Sequence, residues 1–148
     1  DLHGVTGQQF FLHRLDPGFK GSKYAETCDL PLKTIAQLIK KEILTKHPEI
    51  KVSVSTESYS GGQSINIKVK DVPFKPYRKV ELYPGENSSY YTLAYTEEGK
   101  ALIEEIKTIS NQYNRDNSDL QTDYFDVHFY CTPDYSWEIR RAAEGKQQ

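Results

Sequence analysis

The chain has no methionine and only two cysteines, Cys28 and Cys131, among its 148 residues. Because small secreted domains held together by disulfides usually carry four or more cysteines, we expect two separated free thiols. The lack of a Cys-x-x-Cys pair argues against a structural zinc site. Since the sequence begins at Asp1 without methionine, we expect a fragment or a trimmed form of a longer chain.

Long apolar runs are also absent. No stretch approaches the roughly 18 apolar residues that a membrane-spanning helix needs, and no basic start with an apolar core indicates a signal peptide. We therefore expect no membrane partner. The mean hydropathy of −0.72 is low, yet 11 tyrosines, 6 phenylalanines and 1 tryptophan argue against disorder. Residues 1–148 are predicted to form a single domain, because this length is typical of one.

The charge is unevenly distributed, although the net charge is only −2. Residues 33–79 carry ten basic and four acidic groups, a net charge of +6, whereas residues 80–134 carry three basic and eleven acidic groups, a net charge of −8. Two interpretations follow. The two halves face each other or the solvent within one fold, or the basic half forms a surface for nucleic acid or an acidic partner.

Two amphipathic helices dominate the predicted secondary structure. Apolar residues at steps of three and four follow Asp29-Leu30-Pro31, with Asp29 as the expected N-cap, and Pro48 ends this helix at about Lys46. A second helix is predicted over residues 96–113 from the same spacing. Residues 138–148 are expected to form a short frayed helix.

Strands are predicted from alternation of apolar and polar residues. Residues 51–55 and 64–69 form a predicted β-hairpin, and residues 56–63, with Gly61-Gly62, connect them. Further strands are predicted over residues 8–13, 24–28, 89–94 and 123–131, the last of them central and covered on both faces. Residues 72–84 are expected to be an extended loop. This order predicts an α+β fold: a mainly antiparallel sheet with two principal helices packed on one face.

Two separated stretches carry a resemblance to a known family. The first runs from Ile35-Ala36-Gln37 through Ile50-Lys51-Val52 to Tyr59-Ser60-Gly61-Gly62-Gln63-Ser64-Ile65, and the second joins Asn114-Arg115-Asp116-Asn117-Ser118-Asp119 to Asp123-Tyr124-Phe125. Together they resemble the twenty-ninth of the large-polyvalent-protein-associated domains, which occur in phages, plasmids and conjugative elements. The resemblance covers residues 30–131, with residues 1–29 and 135–148 as extensions. The sequence departs from the family pattern at His47, Gln63 and Lys70.

This resemblance implies an origin in a mobile genetic element and hence the cytoplasm of a bacterial host. It implies no established chemistry, no cofactor and no catalytic residues.

Three groups of residues are candidates for binding. The most distinctive is a loop whose glycine N–H groups and hydroxyls could hold a phosphate, although a plain hairpin connection explains the same residues. It comprises Tyr59, Ser60, Gly61, Gly62, Gln63 and Ser64. An acidic loop comprises Asp116, Asp119, Asp123 and Asp126. It lacks the glycine and closing glutamate of a calcium loop, so we predict turns rather than a metal site.

The third group is a basic face, which comprises Lys40, Lys41, Lys46, Lys51, Lys68, Lys70, Lys75, Arg78 and Lys79. Tyrosine and phenylalanine residues are interleaved with these cations. Such a mixture suits single-stranded nucleic acid, since cations neutralise phosphates and rings stack on bases. A solvated helix face explains Lys40 and Lys41 equally well.

The leading hypothesis is a non-enzymatic binding module of a phage or mobile element that acts on nucleic acid or a host protein, with action against host defence as one form of this role. A rival is a small enzyme or nucleotide-sequestering protein that uses the Ser-Gly-Gly loop with Asp126 and His128 as acid and base. A third hypothesis is a structural or oligomerising domain of a larger polyvalent protein, and it keeps a homo-oligomer open.

Overall fold

A computed structural model describes residues 18–81, 91–118 and 126–145, which contain four helices and eight strands. The helices are α1 (Tyr24–Thr27), α2 (Leu32–Lys46), α3 (Glu97–Asn111) and α4 (Trp137–Ala143). The strands are β1 (Phe19–Lys20), β2 (Lys51–Tyr59), β3 (Gly62–Asp71), β4 (Tyr77–Glu81), β5 (Tyr91–Tyr95), β6 (Arg115–Asp116), β7 (Tyr130–Cys131) and β8 (Asp134–Tyr135). The predicted α+β class is confirmed, while the strand predicted over residues 8–13 lies outside the described residues.

Helix α2 forms where the apolar spacing predicts it. Its buried side chains, Ile35, Ala36, Ile39 and Ile43, recur at helical intervals and enter the core. Pro31 occupies the N-cap position without a side-chain cap, so Asp29 does not cap the helix as expected. The difference arises because the proline directly precedes the first helical residue, which places the aspartate two residues too early.

Helix α3 begins at a side-chain cap that also fixes its position. The Thr96 hydroxyl accepts a hydrogen bond from the Gly99 N–H at 3.1 Å and donates one to the Lys75 carbonyl at 2.7 Å. Glu97 and Glu98 in the first turn complement the helix dipole. The cap therefore anchors the start of α3 to the segment that precedes β4.

Strands β2 and β3 form the predicted hairpin and give the sheet two unlike faces. Val52 and Val54 lie opposite Val69 and Ile67 in the antiparallel register, on the face that is buried. We call this the inner face. Residues of the opposite parity form the outer face: Ser53, Ser55, Glu57, Tyr59, Gly62, Ser64, Asn66, Lys68 and Lys70.

Helices α2 and α3 pack on the inner face, as predicted. Their buried side chains share one core with Val52, Ile65, Ile67 and Val69. This arrangement also brings the two differently charged halves of the chain into contact, since Nε2 of His47 at the end of α2 lies 2.9 Å from Glu105 of α3. His47 is not among the ten basic groups of residues 33–79, so both interpretations of the charge distribution stay open.

Most of the strand pairing is antiparallel, as predicted, but the strands do not form one sheet. The described strands form three sheets, and both β7 and β8 pair parallel with β3. Residues 123–125 of the predicted strand over 123–131 lie outside the described residues. Within the described part, residues 126–131, Tyr130–Cys131 is strand and Val127 forms an isolated bridge with Asp116. The parallel pairing joins segments distant in sequence, which local alternation does not reveal.

Two further assignments were wrong. Residues 24–28 contain a helical turn, α1, because the Thr27 hydroxyl donates to the Lys23 carbonyl at 2.7 Å and Lys23 N–H donates to Gln112 at the end of α3. Residues 72–84 were expected to be a loop, but β4 lies within them and pairs antiparallel with β5. The strand was missed for two reasons: prolines directly precede it, and its five residues are too few to show a clear alternation.

Both cysteines are free thiols, as the sequence predicted. Burial raises the pKa of the Cys131 thiol to about 11, so this thiol stays protonated at neutral pH. No helix among the described residues is long and apolar enough to cross a membrane.

Candidate functional site

The segment from Tyr59 to Ser64 is a tight turn rather than a long loop. Tyr59 pairs with Gly62 at the end of the hairpin, so only Ser60 and Gly61 lie outside the two strands. Gly61 has a φ of 93°, a conformation that side chains other than glycine rarely adopt. The backbone N–H groups on either side of this turn belong to the paired strands β2 and β3. They therefore form no cradle for a phosphate, and phosphate binding by this segment stays a prediction.

Two tyrosine rings flank Gly62 on the outer face. A Cβ at Gly62 would lie 3.4 Å from the Tyr59 ring and 3.2 Å from the Tyr130 ring, so each ring lies close to the glycine. Tyr130 reaches this place because β7 pairs with β3 at Ser64. Tyr59 is 47% exposed and Tyr130 is 39% exposed. The pair forms an aromatic surface in contact with solvent.

The rest of the outer face is polar and open. Ser55, Asn66, Lys68 and Lys70 are exposed, so none of the described elements covers their side of the hairpin. Glu57, opposite Ser64 in the register, is the acidic residue among them. Asp134 of β8 lies beside Lys68 in the parallel register. The outer face therefore combines two tyrosines, several hydrogen-bonding groups and charges of both signs.

The predicted basic face is divided between two sides of the sheet. Lys40, Lys41 and Lys46 lie on α2, which packs on the inner-face side. Lys68 and Lys70 project from the outer face, and Lys51 is exposed at the start of β2. Lys75, Arg78 and Lys79 lie on β4 or just before it. No single surface unites all nine cations.

The acidic loop serves the fold at the two positions that are described, whereas Asp119 and Asp123 lie outside the described residues. Asp116 is 1% exposed, and its carboxylate accepts a hydrogen bond from the Ser118 N–H at 2.9 Å. Asp126 forms an ion pair with Arg115 at 3.1 Å. No group of three or more His, Cys, Asp or Glu residues within the described ranges could hold a metal ion.

Asn114 links this loop to the segment that leads into β7. Its side-chain amide donates to the Phe129 carbonyl at 2.8 Å, and its side-chain oxygen accepts from the Phe129 N–H at 3.2 Å. Ser118 adds a second link, since its hydroxyl accepts from the Asp126 N–H at 2.8 Å. The Asn-x-Asp-x-Ser pattern thus positions residues 126–129, and with them Tyr130.

The enzyme hypothesis required Asp126 and His128 to act as a pair. The Gln63 amide donates to the His128 carbonyl at 2.8 Å, so the hairpin end and this segment do lie side by side. However, the Asp126 carboxylate pairs with Arg115, and the His128 ring packs edge-on against Tyr24 with centroids 5.3 Å apart. Burial lowers the pKa of His128, and the positive charge of Arg115 lowers it further. This histidine is neutral at neutral pH.

The family model described as large polyvalent protein associated domain 29 matches residues 30–143. The chain belongs to this family. The matched residues include both principal helices, the hairpin, Tyr130 and α4. Searches of curated proteins and of solved structures found no significant match. The resemblance seen in the sequence is therefore confirmed, and with it the association of such a domain with large polyvalent proteins.

Sequence reasoning missed the part played by Tyr130. The residue was assigned to a strand covered on both faces, but its ring is exposed while the neighbouring Phe129 is 1% exposed. Alternation along this segment separates the two residues correctly onto opposite faces. The alternation does not show which of the two faces the helices cover, because this depends on the pairing of β7 with β3.

We expect Asn114→Ala to destabilise the protein strongly. The change leaves the Phe129 N–H and carbonyl without their partner in a buried position, at a cost of about 1–3 kcal/mol for each group. Urea unfolding measures the loss. Asn117→Ala is the matched control, since Asn117 is exposed and its N–H donates to the Asp126 carbonyl from the backbone. Equal stability of both variants would contradict the proposed role of Asn114.

His128 should make the protein less stable in mild acid. Its pKa is lower in the folded chain than in the unfolded chain, so the unfolded chain binds the proton first. The free energy of unfolding therefore falls as the pH drops below about 6.5, and the contribution is intact above that value. Between about pH 7.5 and 5.5, the melting temperature should decrease less for His128→Phe than for the unsubstituted protein. An identical decrease in both proteins would refute this assignment.

Proposed function

We propose that this domain is a non-enzymatic module that binds single-stranded nucleic acid on its outer face. The observation that carries the proposal is the pair of exposed rings, Tyr59 and Tyr130, held beside Gly62 by β2 and β7, the strands that pair with β3. Aromatic rings fixed on a sheet stack on unpaired bases, and any base offers the face that they need. Because the strands fix the tyrosine backbones, little conformational entropy is lost on binding.

The charge of the outer face fits this ligand. Lys68 and Lys70 extend from alternate positions of β3, on the same face as the rings, and could contact successive phosphates. Asn66, between the rings and the lysines, offers both a donor and an acceptor. Glu57 and Asp134, which lies beside Lys68 in the register, offset this positive charge, so stacking must supply much of the affinity. This balance favours single strands, whose bases are accessible, over duplexes.

A role within a phage or mobile-element protein in the bacterial cytoplasm, including action against host defence, is consistent with the family. The proposal itself requires only that the module bind single-stranded nucleic acid. Binding of a host protein to the same tyrosines is the alternative that the experiments below distinguish.

Tyr59→Ala and Tyr130→Ala should each weaken binding of a labelled oligonucleotide of about 12 nucleotides. Loss of one stacked base corresponds to about 1–3 kcal/mol, or roughly 5- to 150-fold in affinity. Fluorescence anisotropy at low salt measures it. Tyr91→Ala is the matched control, because Tyr91 is 51% exposed but lies on β5 in a different sheet. Substitution of either tyrosine by phenylalanine should preserve binding.

Two results would reject this proposal. Absence of binding to any single-stranded DNA or RNA at about 50 mM salt would exclude nucleic acid as the ligand, since electrostatic attraction is strong there. Binding unchanged by both tyrosine substitutions would place the nucleic acid elsewhere on the molecule. The outer face would then be left for a protein partner.

Lys68→Gln and Lys70→Gln should each reduce the salt dependence of binding. For single strands, each lost phosphate contact lowers the slope of log K against log salt by about 0.7. Lys40→Gln and Lys41→Gln remove the same charge from α2, on the inner-face side, and should leave the slope unchanged. A slope that responds to the α2 variants instead would show that phosphates follow the helix.

A further inference from the structure

A groove lies between α4 and the segment that leads into β4. Its volume is about 440 Å³, within the range of pockets that bind small molecules. Apolar side chains form most of its lining, among them Val72, Phe74, Ile139 and Ala143. These four are partly buried at the border of the core, so they present apolar surface to the groove as well as to the interior.

One wall of the groove is rigid. Tyr77, which lines it, is 8% exposed and stacks on Tyr95 with ring centroids 5.4 Å apart. Arg140 of α4 also lies over the Tyr77 ring, with its guanidinium carbon 5.6 Å from the ring centroid. An aromatic wall fixed in this way need not rearrange when a ligand enters, which lowers the cost of binding.

The edge of the groove carries more positive than negative charge. Lys75 and Lys79 are both exposed lining residues, and neither ammonium lies within 4.0 Å of a carboxylate in the described parts of the chain. Lys79 is held over the Tyr91 ring at 5.5 Å. Asp71 is the acidic lining residue, and it lies opposite Lys51 in the hairpin register.

We infer that this groove binds a small amphipathic anion, with an aromatic or aliphatic body and one carboxylate, phosphate or sulfonate group. The body would lie on Val72, Phe74 and Ile139, and the anionic group would lie at the edge near Lys75. The residues involved differ from those of the outer face, so this inference is independent of the proposed nucleic-acid binding and adds a second ligand class.

Anilinonaphthalene sulfonate is a suitable probe because it combines fused rings with one sulfonate and fluoresces when it enters an apolar site. We expect saturable binding of one probe per chain to the folded protein. Ala142→Phe should lower the affinity by about tenfold or more, since it fills the groove from an exposed helix position. Unchanged thermal unfolding of the variant shows that the loss is local.

The charge requirement is tested separately. Lys75→Gln should lower the affinity for the sulfonate probe about two- to fivefold. The affinity for N-phenylnaphthylamine, which has the same rings without the sulfonate, should stay unchanged. Lys100→Gln is the matched control, because it removes the same charge from an exposed position of α3. If Ala142→Phe unfolds the protein, probe-induced shifts of the Val72 and Ile139 methyl resonances in the unsubstituted protein decide the location.

Several outcomes would overturn the inference: no saturable binding, several probes per chain, affinity unaffected by Ala142→Phe, or methyl shifts that avoid Val72 and Ile139. The experiments can also reject either of the two proposals without rejecting the other. Ala142→Phe should retain oligonucleotide binding, and Tyr59→Ala should retain probe binding. A variant that loses both ligands would indicate that the two surfaces do not act independently.

Discussion

Complete burial of alternate side chains along β3 is the constraint on which the rest of the structure depends. Ile65, Ile67 and Val69 are all 0% exposed, because α2 and α3 cover one face of the hairpin. The same alternation directs Asn66, Lys68 and Lys70 to the solvent. A shift of one residue in the register would exchange the two sets and expose the core. The open outer face is thus a direct consequence of how the core forms.

The second requirement is that a distant segment reach the free edge of β3. The Asn114 side chain takes the place of a strand partner for Phe129 and holds this segment by its backbone. Phe129 then enters the core, and Tyr130, pointing the opposite way, arrives beside Gly62. A structural amide in the acidic loop therefore determines where an aromatic ring meets the solvent. Gly62 is part of the same arrangement, because a larger side chain would displace both rings.

Features set by local periodicity could be predicted from the sequence. The two helices follow from apolar steps of three and four, and the hairpin core follows from alternation at Val52, Val54, Ile65 and Ile67. The hairpin is longer than predicted because Thr56, Glu57 and Ser58 are polar on both faces and give no alternation signal. Pairing of β7 and β8 with β3 joins segments more than sixty residues apart, so no local pattern encodes it.

The candidate site illustrates the same division between local and distant information. Tyr59 and the glycines stand out in the sequence, but their meaning depends on Tyr130, which only the parallel pairing brings to them.

The nine cations of the basic segment look like one surface when they are counted along the chain. In the fold, however, α2 lies on one side of the sheet and the exposed lysines of β3 lie on the other. Charge summed over a segment is therefore a poor guide to a binding surface in this fold. A better guide is the charge on the face that carries the exposed rings. On that face Glu57 and Asp134 oppose Lys68 and Lys70. A face of this kind depends on ring stacking to retain a ligand and on its few cations to orient the phosphates.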